Sequence, residues 1–176
     1  MKQSGRIAVG GVFSALALAC MLMTIFPYAT YALPAMAGVC LIPVVLELGW
    51  RWGWMAYAVT ALLSPLLAAD KEAALLFIAF FGYYPVLKAW IERRKSRVIE
   101  WAIKLLLFNA AMVAAYMAAI FVFRLPGDFE IFGVSLPFVL LALGNVTFLI
   151  YDKALTGLVS LYLYRLQPKL HRMFKY

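Results

Sequence analysis

Residues 101–123 read WAIKLLLFNAAMVAAYMAAIFVF, with Lys104 the one charged residue and Asn109 the one amide. A helix that crosses a bilayer needs about 20 mostly apolar residues at 1.5 Å of rise each, and this stretch exceeds that length. Working outward, five more segments approach the same size: 7–26, 32–48, 52–69, 73–91 and 133–166. The chain therefore reads as all-α, an integral membrane bundle of six transmembrane helices forming a single transmembrane domain over 1–176.

Composition points the same way. Hydrophobic residues make up 66% of the chain and charged residues only 14%, a little over half the charged share of a soluble domain. The start, Met-Lys-Gln-Ser-Gly-Arg, could imitate a secretory leader, but the apolar run from Ile7 to Phe26 is longer than a leader's core and reads as the first membrane helix. Cys20 and Cys40 both fall in apolar stretches, and His171 is the lone histidine. No metal-ligand spacing exists, so no metal site and no disulfide framework is expected.

The net charge of +8 is distributed as a topology signal. With the N-terminus inside, thirteen Lys and Arg fall on the inner side: Lys2, Arg6, Arg51, Lys88, Arg93, Arg94, Lys95, Arg97, Lys104, Arg165, Lys169, Arg172 and Lys175. Only Lys71 and Arg124 fall outside, and Lys153 lies within the last segment. The positive-inside rule then places both termini in the cytoplasm. Trp50, Trp52, Trp54, Trp90 and Trp101 fall at inner boundaries, where indole rings prefer to sit. Basic residues placed between apolar segments lack the continuous basic face that nucleic acid requires, so no nucleic acid is expected. The inner loop 92–100, with Arg93-Arg94-Lys95-Ser96-Arg97, reads as a stop signal beside anionic lipid, with docking of a cytoplasmic partner as the sharper alternative. The outer loop 124–132, with Pro126-Gly127-Asp128, is rich in turn residues.

The chain has no Gly-rich phosphate loop, no HExxH motif and no Ser/His dyad at membrane depth. No catalytic residues are expected, and any energy for transport must come from a gradient or a partner. The polar groups at membrane depth are few, and each is expensive in hydrocarbon. Asn109 and Asn145 reach similar depth on the fifth and sixth helices and can face each other, either as interhelical glue or as ligand contacts. Asp152 interrupts the last helix and is expected to meet a basic partner such as Lys104, or to mark a hinge. Lys153 is expected to snorkel to the inner interface. Gly11, Ala15 and Ala19 recur every four residues on the first helix and form a smooth stripe that another helix can approach; Ala111-Ala115-Ala119 and Ala110-Ala114-Ala118 do so on the fifth.

The layout resembles the substrate-binding S component of energy-coupling factor transporters. The opening from Lys2 to Cys20 pairs a basic start with Ala15 and Ala19 in an AxxxA motif. The ending runs from Leu136-Pro137 through Gly144-Asn145 to a basic tail. The resemblance implies a protein of the cell membrane that binds a vitamin or similar small molecule on its outer side. It implies that Gly11, Ala15 and Ala19 couple to a transmembrane T component, and that Asn109, Tyr116 and Asn145 line the pocket. ATP would be used by two cytoplasmic ATPase partners, with no cofactor in this chain. The alternative is a small membrane scaffold resembling the rod-shape-determining proteins of the cell-wall elongation machinery. A gradient-driven transporter is disfavoured by the missing charge pathway and the lack of a visible inverted repeat.

Overall fold

The computed structural model describes residues 3–26, 29–92, 96–123, 130–131 and 134–167. They are almost wholly helical. In chain order the helices are α1 (Gln3–Leu22), α2 (Ala32–Cys40), α3 (Ile42–Leu48), α4 (Trp50–Leu67), α5 (Lys71–Leu76), α6 (Tyr84–Ile91), α7 (Arg97–Phe123) and α8 (Leu136–Leu161). A 3-10 turn, Met23–Ile25, extends α1. One π-helical segment, Phe77–Phe81, links α5 toward α6, and another, Tyr162–Leu166, extends α8. Glu130–Ile131 pairs antiparallel with Val134–Ser135, a two-residue contact just ahead of α8.

Among the described residues, four stretches are long and apolar enough to cross a membrane: Gln3–Ile25, Lys71–Ile91, Arg97–Ala118 and Leu141–Arg165. Ala32–Leu48 is apolar but shorter. The remaining segment, α4, begins with Trp50, Arg51, Trp52 and Trp54 and carries Pro65 near its end. Large apolar side chains cover the outside of the bundle, among them Leu62, Leu66, Leu106 and Ile150. A water-soluble domain would not present so many.

Two of the expected helices are broken. The segment 32–48 splits at Leu41 into α2 and α3, because Pro43 at the start of α3 cannot continue the ladder from α2. The segment 73–91 is three pieces. The Gly82 N–H donates five residues back to the Phe77 carbonyl at 2.8 Å, and Pro85 brings no N–H for the Phe81 carbonyl. The Ile78 carbonyl accepts instead from the Tyr57 hydroxyl at 2.8 Å. The last helix starts at Leu136, not 133.

The turns follow local chemistry. Gly49 joins α3 to α4 at φ 90°, a backbone conformation that glycine takes without strain. Asp70 caps α5, accepting from the Glu72 and Ala73 N–H groups at 2.8 and 3.4 Å. The Lys71 ammonium closes the end of α4 by donating to the Pro65 and Ala68 carbonyls at 2.8 and 3.2 Å.

Two apolar clusters hold the helices together. One gathers Ala17 and Met21 of α1 with Ala37, Leu41, Val44, Ala56 and Phe77. The other gathers Ile42, Phe80, Tyr84, Phe108, Phe148 and Leu155. Phe80 is the hub of the second, with Tyr84 stacked at 4.7 Å and Phe108 edge-on at 5.2 Å. The two broken spans meet at Gly38, where an added Cβ would collide with the Phe81 carbonyl oxygen.

Candidate functional site: a buried ionic cluster and an amide clasp

Asp152 lies on α8 with its carboxylate buried. A lone carboxylate there would be costly, so it must be paired. Its Oδ1 accepts from the Tyr84 hydroxyl and from the Lys88 ammonium, both at 2.5 Å, and its Oδ2 accepts from Lys104 at 3.2 Å. The expected partner Lys104 is thus present, and Lys88 is a second one. Lys88 also reaches Glu92 at 2.5 Å, one turn along α6. Lys104 reaches Glu92 at 2.9 Å and Glu100 at 2.6 Å. Its three ammonium donors therefore have three carboxylate acceptors. The Trp101 ring lies 5.3 Å from the same nitrogen.

The cluster ties the last turn of α6 and the first two turns of α7 to Asp152 within α8. Sequence reading placed Lys88 and Lys104 among the inner topology charges. Both are buried and paired with carboxylates. Lys153, next to Asp152, is exposed.

Deeper between α7 and α8, Asn109 and Asn145 face each other. Each Nδ2 donates to the other's Oδ1, at 3.0 and 2.9 Å. Each spends its second N–H on the carbonyl four residues earlier, Leu105 or Leu141, at 2.8 Å. All four amide hydrogens are used. Beside them Gly144 lets the Phe108 ring approach α8, where it stacks on Phe148 at 4.8 Å. Tyr116 lies seven residues beyond Asn109, on the same face of α7 and half-buried.

Known protein families, curated proteins and solved structures yield no match to this chain. Its chemistry is therefore read from its own side chains. Among the described residues no group of three or more His, Cys, Asp or Glu is placed to hold a metal. Cys20 and Cys40 are free thiols.

A cleft of about 560 Å³ borders the ionic cluster. Its walls come from α3, α6 and α8, and the exposed Trp50 and Trp90 also line it. Sequence reading had no signal for it, because it forms where α3 and α8 flank α6 while making few contacts with each other.

On α1, the residues of the small stripe point away from the bundle. Gly11, Ala15 and Ala19 are exposed, whereas Gly10, Ala17 and Met21 are buried. A Cβ added at Gly11 meets nothing within 4 Å. The α7 stripes differ: Ala111 and Ala115 are buried, while Ala110 and Ala114 are exposed. The side chain of Ala119 lies outside the described residues.

Proposed function

We propose that this chain is a six-span protein of the cell membrane with both termini cytoplasmic. In this reading it is the substrate-binding membrane subunit of an energy-coupling factor importer for a vitamin or similar small molecule. The six crossings are α1, the α2–α3 pair, α4, the α5–α6 pair, α7 and α8.

The outward stripe of Gly11, Ala15 and Ala19 carries the reading. Small residues that serve packing inside one bundle are covered by that bundle. These are left uncovered, as a face for another protein's helix requires. The transmembrane T component is that partner, and two cytoplasmic ATPases supply the energy. Solute enters from the outer side. Tyr116, two turns outward from Asn109, contacts it, and the Asn109–Asn145 clasp opens to offer its amides.

Co-expression with a T component tests this. Leucine at both Ala15 and Ala19 is expected to abolish co-purification and uptake without lowering the melting temperature, because neither side chain is packed. Intact assembly of the double variant would remove the reading.

One observation favours the scaffold alternative. The two amides already satisfy each other's donors, as a permanent interhelical tie would. Capture of cell-wall elongation proteins, with no solute-dependent change in stability, would select that reading.

A further inference from the structure

We infer that Cys20 of α1 and Cys40 of α2 form a dithiol site that a small external disulfide oxidises to an internal disulfide bond. The inference goes beyond the transport reading and takes from it only the orientation of the chain in the membrane.

The two cysteines are distant in sequence and adjacent in space. Their helices pack on each other more extensively than any other pair among the described residues. Ala17 and Ala37 lie in one buried cluster, both without exposure. Each stands three residues before a cysteine, and positions three apart share a helix face. Cys20 and Cys40 both pack against that cluster, and the Cys20 thiol is the hydrogen-bonding neighbour of the Cys40 thiol. The small side chains at Ala17 and Ala37 let the two backbones come close. A disulfide requires this, since it joins Cα atoms no more than about 7 Å apart. Neither residue is sealed off, for both are half-buried. A cysteine that only fills apolar space does as well beside any other side chain. Two thiols in contact have a reaction that neither has alone.

Depth favours the same chemistry. With the N-terminus inside, Cys20 lies about 8 Å short of the outer end of the first span at Ile25. Cys40 lies about 12 Å below the outer start of the second span at Ala32. Both sit toward the outer side, where disulfides persist.

The step balances as thiol–disulfide exchange. One cysteine, as its thiolate, attacks a sulfur of the small disulfide. A mixed disulfide forms, the reagent's S–S bond breaks, and its first half leaves with a proton as a thiol. The second cysteine then attacks the mixed disulfide at the first cysteine's sulfur. The Cys20–Cys40 bond forms and the second half leaves as a thiol. Two cysteines lose two electrons and two protons, and one disulfide is reduced to two thiols. The second attack is intramolecular, so it outruns capture of another reagent molecule. The product ties α1 to α2 and leaves Gly11, Ala15 and Ala19 uncovered.

Dipyridyl disulfide tests the site on the purified full chain in detergent. It is apolar, and each half released as a thione is counted by absorbance. The unmodified chain is expected to release two thiones, keep no pyridyl group and become lighter by two hydrogens. Cys20→Ala and Cys40→Ala are each expected to release one thione and to keep one pyridyl group as the mixed disulfide. The oxidised chain is expected to melt at a higher temperature than the reduced one, because a closed loop constrains the unfolded state. Dithiothreitol should reverse that rise. Two pyridyl groups retained on the unmodified chain would overturn the inference. So would an unreactive chain, or a disulfide formed only between two copies. Neither orientation nor a T component enters these measurements, so the site and the transport reading fail separately.

Discussion

Lys88 and Asp152 hold each other at 2.5 Å from different helices, with both side chains 4% exposed. Breaking a buried ion pair from one side strands the other charge, which is more damaging than removing both. Asp152→Asn is therefore expected to destabilise the protein by about 3 kcal/mol. The double change Lys88→Met with Asp152→Leu is expected to recover most of that loss. Thermal unfolding in detergent measures both. A double variant no more stable than Asp152→Asn would mean that the pair contributes something other than charge compensation.

Gly38 is expected to tolerate no side chain. Its missing Cβ makes room for the Phe81 carbonyl, which is backbone and cannot swing aside. Gly38→Ala should cost about 3 kcal/mol, at the upper end of overpacking effects. Gly11→Ala provides the control: it enters open space on an exposed helix face and should change stability by no more than about 0.5 kcal/mol. Equal melting temperatures for the two variants would contradict the contact between the broken spans.

The amide clasp is best examined as a thermodynamic cycle. Asn109→Leu and Asn145→Leu each leave the other amide short of a partner. The coupling between them is expected at about 1 kcal/mol, in the range of hydrogen bonds between membrane helices. Additive effects on unfolding would show that the two side chains do not meet in the membrane.

Orientation can be read by labelling single cysteines from outside, in a chain with Cys20 and Cys40 replaced by alanine. A cysteine at Asp128 should react and one at Ser96 should not. The opposite pattern would invert the assignment of the cleft and the ionic cluster to the inner side.

Sequence reading recovered the helices wherever the apolar run alone decides, as in α1, α7 and most of α8. It passed over the breaks at Leu41 and at Phe77–Tyr83, because hydrophobicity does not fall where a ladder is interrupted. The prolines did carry that signal: Pro43 and Pro85 each remove a donor from a run that otherwise reads as continuous. Asp152 could be assigned a cationic partner because an acid at membrane depth requires one. Lys88 could not, since a lysine near a helix end fits equally well as a topology charge. Its Glu92 neighbour four residues on was the available hint. The facing of Asn109 and Asn145 followed from equal depth alone. The outward turn of the α1 stripe did not, because which side of a uniformly apolar helix is covered depends on its neighbours.

The interruption at Phe77–Tyr83 divides one span into two short rods. A continuous helix resists bending through its unbroken row of backbone bonds, and this one lacks that row at its midpoint. Its C-terminal rod carries Lys88 and, with Glu92 just beyond it, is tied into the ionic cluster, while its N-terminal rod is anchored through the Asp70 cap. Tilting of one rod against the other would break the Tyr57 bond to Ile78 and shift the ring contacts of Phe80 and Phe81 with α7 and α8. Amide hydrogen exchange offers a direct view of such compliance. The amides between Ile78 and Tyr84 should exchange faster than those of α7 at the same depth, so that the most enclosed part of the bundle is also its most yielding.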